Sequence, residues 1–177
     1  VLDCLSCVDE RGPALLFLIA AMVRITERLQ TPAKADAALT LSFEQRQKSR
    51  QRIRLDSGEE AGLSLPHGTM LRAGDRLRAE DGRVVEVRAM TEPVTTAYSD
   101  NPHLLARAAY HLGNRHIALE IGAGSVRYRA DHVLDGMVAS LGLRTVREEQ
   151  PFEPEAGAYH GGHRHPGKPG DGTHEHG

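Results

Sequence analysis

Apolar positions fall into two helical rows in the second half of the chain. Leu104, Leu105, Ala108 and Leu112, with Ala109 beside them, share one face and predict a helix over 101–112. Ser99 or Asp100 is placed to cap its start, and Gly113 to end it in a left-handed conformation. Val133, Leu134, Met137, Val138 and Leu141 make the buried face of a second helix over 132–141, capped by Asp131 and stopped by Gly142. Strand candidates surround the two helices: Val94 to Tyr98, Ile117 to Ile121, Val126 to Arg129 and Leu143 to Arg147. Their β-α-β-β-α-β order is the ferredoxin-like arrangement.

The stretch from Val23 to Ala89 has a different texture, with short alternations and frequent turn residues. Leu39-Thr40-Leu41-Ser42-Phe43 alternates, as does Arg52-Ile53-Arg54-Leu55, while Ser57-Gly58 marks a turn. Asp81-Gly82 between Arg76 to Ala79 and Val84 to Val87 is a strong hairpin signal. The reading is an α+β chain: a small all-β N-terminal domain over 22–90, then a ferredoxin-like domain over 91–155, joined at Thr91-Glu92-Pro93. Arg46, Lys48, Arg50, Arg52 and Arg54 occupy every second position and would share one face of an extended segment. That face is either a solvated surface guarding a sheet edge or a docking surface for an acidic partner.

Both ends of the chain depart from this pattern. Residues 1–21 read as a non-native upstream extension. Cys4 and Cys7 have the spacing of half a zinc or redox site, but no second pair accompanies them. The apolar run from Ala14 to Val23 is too short to span a bilayer, and acids outnumber bases before it, unlike a secretory signal. Residues 156–177 hold glycine and histidine but no Leu, Ile, Val, Met or Phe, so a disordered tail is expected.

Composition narrows the function classes. A formal charge of −2 with 26% charged residues of mixed sign gives no general attraction to nucleic acid. Aromatic residues make up 4% and tryptophan is absent, against a stacking platform for bases. The 10 histidines stand out. Five of them, His160, His163, His165, His174 and His176, lie in the tail, where two His-x-His pairs suit Ni²⁺, Zn²⁺, Cu²⁺ or Co²⁺. Arg, Pro, Lys and Asp interrupt them, unlike a consecutive run added for purification. His116 follows the first helix and His132 opens the second, whereas His67, His103 and His111 read as surface or structural residues.

At Tyr110-His111-Leu112-Gly113-Asn114-Arg115-His116, Arg127-Tyr128 with Asp131-His132, and Pro151-Phe152-Glu153-Pro154-Glu155-Ala156-Gly157-Ala158-Tyr159, the chain resembles the UreE family of nickel-carrying urease accessory proteins. The likeness runs from about Met22 to the C-terminus. It implies a cytoplasmic homodimer that carries Ni²⁺ for urease maturation, with the urease accessory GTPase complex and the urease apoprotein as partners. It also implies an N-terminal domain that binds peptides or proteins. The position of His116 implies a metal held at the two-fold axis, where both copies of one ligand meet. His132 matches a further ligand of some members, whose companion two residues earlier is here Ala130. Ligation by His132 and an ordinary role in the first helical turn therefore stand side by side.

Other functions lack their residues. A metal hydrolase needs three rigid ligands, an open water position and a base, and no His-Glu-x-x-His or nucleophile elbow occurs. The aromatic strand motif of ferredoxin-like RNA binders is missing. Neither an enzyme, a nucleic-acid binder nor a membrane protein is expected. The alternative that remains is a metal buffer, in which the tail stores ions without a delivery partner.

Overall fold

The computed structural model describes residues 22–156. The expectations for residues 1–21 and for the tail histidines lie outside them. The first part of the described chain is mostly β and the second mixes helices and strands. No described helix is long and apolar enough to cross a membrane.

The first part contains β1 (Val23–Arg28), β2 (Ala37–Leu41), α1 (Phe43–Arg46), β3 (Arg50–Arg54), β4 (Glu60–Ser64), β5 (Arg76–Ala79) and β6 (Val84–Ala89). Its strands form one sheet in the order β2-β6-β5-β1-β4-β3. β5 and β6 make the expected hairpin, with Gly82 at φ 89° supplying the left-handed turn residue. Asp56, just past β3, draws the two ends of this order together. Its N–H donates to the Ala38 carbonyl at 2.9 Å, and its carboxylate accepts from both Thr40 N–H and Thr40 Oγ1 at 2.9 Å. The curled sheet encloses Ile25, Leu39, Leu41, Ile53, Leu63, Leu71, Leu77 and Val87.

The alternation through Leu39 to Phe43 stops as a strand at Leu41. Ser42 and Gln45 form a reciprocal cap, with Gln45 N–H donating to Ser42 Oγ at 3.3 Å and Ser42 N–H to Gln45 Oε1 at 3.0 Å. Four residues therefore turn into α1, and Arg46 leaves the basic row. It is 0% exposed, whereas Arg50, Arg52 and Arg54 stay at the surface of β3.

The second part contains β7 (Thr91–Tyr98), α2 (Pro102–Gly113), β8 (Glu120–Gly122), β9 (Ser125–Arg129), α3 (His132–Ser140) and β10 (Arg144–Pro151). Its antiparallel sheet runs β10-β7-β9-β8. Ala97, Val126 and Tyr128 from the sheet, and Leu143 just before β10, meet Ala108, Leu112 and Val138 from the helices. Tyr128 is tied in by its hydroxyl, which donates to Asp135 Oδ1 at 3.1 Å, while Arg147 Nε donates to Asp135 Oδ2 at 2.6 Å. Burial, reinforced by the neighbouring Asp135 carboxylate, raises the Tyr128 pKa.

Several expectations are corrected here. Thr91-Glu92-Pro93, where the two parts join, is the start of β7. Glu92 is buried and accepts from Phe43 N–H at 2.7 Å, so it serves as a contact between the two sheets. The cap of α2 is Asn101, whose side chain accepts from His103 N–H at 2.9 Å, with Pro102 in the first turn. Val133 is 65% exposed and does not join the buried face of α3. β10 continues to Pro151 despite its polar composition, because it pairs with β7 along all eight residues. Ile117 to Leu119 are not strand; other contacts hold them, and these bear on the site.

Between the sheets, Phe43 packs edge-on against Phe152 at 5.3 Å, together with Val94 and Ala118. The buried Arg46 guanidinium donates to the Glu153 carboxylate and the Phe152 carbonyl, and its Cζ lies 5.7 Å from the Phe43 ring centre. Arg72 reaches the same carboxylate at 3.4 Å and also donates to the Pro154 carbonyl. Burial lowers the Arg46 pKa, and the charges of Glu153 and Glu92 oppose that shift. A buried cation that loses its carboxylate costs about 3–5 kcal/mol. Glu153→Ala is expected to reduce the unfolding free energy by about that amount in urea titration, with Arg50→Ala, on the exposed strand face, within about 0.5 kcal/mol of the parent.

Candidate metal centre

The end of α2 sets the position of His116. Ile117 N–H donates to the Leu112 carbonyl at 3.2 Å, and His116 N–H to the Gly113 carbonyl at 2.8 Å. This is the paired bonding of a Schellman ending, and it requires a left-handed residue at the penultimate position. That residue is His116, at φ 57°, the one described residue other than glycine with positive φ. Gly113 remains inside the helix, so the expected glycine stop is displaced by three residues. The hydrophobic contact that usually accompanies this ending is also present, because Ile117 and Leu112 join the same core. A β-carbon in this conformation carries a steric cost, and such strain gathers at functional positions.

His116 is exposed and lies at the wall of a cleft of about 460 Å³ between the two sheets. Phe43, Glu44 and Gln47 line it from the first part; Ile117, Ala118, Arg129, Ala130, Asp131 and Leu134 line it from the second. The cleft thus brings the end of α2 beside the start of α3. Asp131 caps α3 by accepting from Val133 N–H at 2.8 Å and Leu134 N–H at 3.0 Å, and these bonds lower its carboxyl pKa. Glu44 accepts from Lys48 at 2.8 Å, which likewise holds its carboxyl below the ordinary value. The charged groups along the cleft are therefore already partnered or of mixed sign.

His132 is the first residue of α3 and is exposed, but it does not line this cleft; Ala130 does. His160, His163, His165, His174 and His176 lie outside the described residues. Among the described residues, no three His, Cys, Asp or Glu side chains converge on one point. A single chain therefore offers His116 as one fixed imidazole on an accessible, rigid turn, far short of the four ligands of a closed structural site. His111 stacks edge-on with Tyr110 at 5.4 Å, and its carbonyl accepts from Arg115 at 2.8 Å. His67 and His103 are at the surface.

Sequence reading missed the charged groups that join the two parts next to this cleft, namely Arg46, Glu92 and Glu153. The Ser42-Phe43-Glu44-Gln45 cap was a usable signal that a helix begins there and removes Arg46 from the strand row.

Comparison with known proteins accords with these features. The model for UreE urease accessory protein, N-terminal domain, matches residues 20–90, and that for the C-terminal domain matches residues 92–177. The urease accessory protein UreE of Alkalilimnicola ehrlichii is 57% identical over 140 residues, covering 79% of this chain and 86% of that protein. That of Citrobacter koseri is 49% identical over 152 residues, covering 81% of this chain and 100% of that protein. That of Shewanella halifaxensis is 50% identical over 140 residues, covering 79% and 81%.

Replacing the left-handed His116 separates strain from chemistry. His116→Gly is expected to be more stable than His116→Ala by about 1 kcal/mol, since at positive φ the β-carbon penalty outweighs the greater unfolded-state entropy of glycine. Paired urea titrations with equal slopes measure it; equal midpoints would show that position 116 relaxes out of the left-handed region.

Proposed function

Because the chain belongs to the UreE family of urease accessory proteins, we propose that it is a carrier that delivers Ni²⁺ to the urease apoprotein during maturation, not an enzyme. The observation that carries this reading is His116: an exposed imidazole held in a strained conformation by a helix ending that would be more stable with glycine. One rigid ligand per chain suits a cargo that must be released. Two copies meeting at a two-fold axis would supply a pair of imidazoles, and a tail histidine would complete the shell and leave during transfer.

The homodimer belongs to the same reading, with Tyr110 of α2 and Val133 of α3, each 65% exposed, among the apolar side chains it could cover. The β-α-β-β-α-β succession and the order β10-β7-β9-β8 favour the ferredoxin-like reading of residues 91–155. Residues 22–90 are read as the partner-binding domain, with the urease accessory GTPase complex as partner and the cytoplasm as location. His132 is a secondary ligand, weakened by Ala130, and the tail histidines form a looser class of sites. Ni²⁺ is the principal cargo; Zn²⁺, Cu²⁺ and Co²⁺ fit the same donors.

His116→Ala is expected to remove the tightest ion per dimer in calorimetric titration and leave the weaker class bound by the tail. Cutting the chain after Ala158 should do the opposite, lowering capacity while one ion per dimer remains. Loss of all binding on tail removal, with none on His116→Ala, would overturn the assignment.

Acidification gives a second test, because imidazole ligates only when neutral. Uptake should fall as pH drops through about 6.5, the range of a free imidazole. Undiminished binding at a pH of about 4.5, where imidazole is protonated but carboxylates are still largely ionised, would assign the ion to carboxylates.

A further inference from the structure

The turn that presents His116 is held from two sides. On the helix side, the Schellman bonds fix the His116 and Ile117 amides to Gly113 and Leu112. On the other side, Ile117 to Leu119 lack strand pairing, and a segment from the far end of the chain holds them. Glu155 N–H donates to the Leu119 carbonyl at 2.7 Å, and Ala118 packs against Phe152 and Phe43. Glu153 N–H donates to Glu120 Oε2 at 3.0 Å, and the other carboxylate oxygen of Glu120 is taken by Arg127 at 2.8 Å. The residues Phe152 to Glu155 thus form a strap along the segment that follows His116.

The first part of the chain anchors that strap, through α1 and the loop before β5. Arg46 donates to the Phe152 carbonyl and the Glu153 carboxylate, Arg72 to the Pro154 carbonyl, and Ala73 N–H to Glu153 Oε1 at 3.2 Å. The strap's carbonyls and carboxylate face the first sheet, while its amides at Glu153 and Glu155 face the segment after His116. We propose that Arg46, Glu153 and the Glu155 amide are positioning groups for His116, so that docking of the two sheets sets the geometry of the metal site. They do not touch the ion. A left-handed histidine supported on one side only would relax toward right-handed backbone and swing its imidazole away. Outer contacts that orient a ligand change metal affinity by about 10- to 100-fold in other sites. The inference rests on His116 being a ligand.

The test uses the full chain, Ni²⁺ itself and calorimetric titration. Glu155→Pro deletes one backbone N–H at an exposed position, and Glu155→Ala keeps it. The proline variant is expected to weaken the tight class about tenfold, speed hydrogen exchange at the Ile117 amide and leave the weaker tail class unchanged, with the alanine variant like the parent. Glu153→Gln should weaken the same class in the same direction. Parental affinity in Glu155→Pro overturns the proposal; if that variant does not fold, parental affinity in Glu153→Gln overturns it. His116→Ala run alongside separates the two ideas. Loss of the tight class there, with none in the strap variants, sinks the positioning role alone, and no loss in His116→Ala sinks the ligand assignment beneath it.

Discussion

The arrangement depends on one buried cation. Arg46 leaves solvent entirely when the two sheets meet, and a guanidinium in that setting must find acceptors or carry a large desolvation cost. Its acceptors are the Phe152 carbonyl and the Glu153 carboxylate, more than a hundred residues away in sequence. The capped turn of α1 aims Arg46 inward, and the end of β10 delivers Phe152 to Phe43. Neither sheet alone satisfies the charge. That charge, together with the Phe43–Phe152 contact and the Arg72 bonds to Glu153 and Pro154, joins the two parts and holds the last described residues in place.

The same contact extends to the candidate metal centre. Phe43, Ala118 and Phe152 form the small core under the cleft that His116 borders. The cleft has one wall from each part of the chain, so its shape exists only while the Arg46 junction is closed. Beside it, the bonds at the end of α2 hold the turn of His116 from one side and the strap bond to Leu119 holds the following segment from the other. Helix termination, which usually employs glycine, here employs an imidazole. Stability is given up at the one described residue other than glycine with positive φ, and that residue is an exposed imidazole. That exchange suits a site whose occupant must arrive and depart.

The basic row on β3 illustrates how a local pattern can mislead. Arg46 belonged to it by spacing, yet it is the buried member and has a different task from Arg50, Arg52 and Arg54. At the join of the two parts, Glu92 is likewise buried and accepts a backbone bond from α1. In both cases a charged side chain is used internally, and hydropathy alone assigns charges to the surface.

By itself the sequence determined what depends on neighbours along the chain. The rows on α2 and α3, the Asp131 cap, the Gly82 hairpin and the stop at Gly142 follow from helical spacing, side-chain capping and backbone sterics within a few residues. The histidine content and the ordered motifs pointed to metal carriage for the same reason, since ligand type and local motif are written in residue identity. Tertiary structure alone decided where charge is buried, that Ile117 to Leu119 are held by a strap and not by a strand, and that His116 takes the left-handed position three residues beyond Gly113. Each of these turns on a partner distant in sequence, or on which of several nearby endings lets Ile117 enter the core. Local propensities differ by about 1 kcal/mol or less among such alternatives, and packing chooses between them.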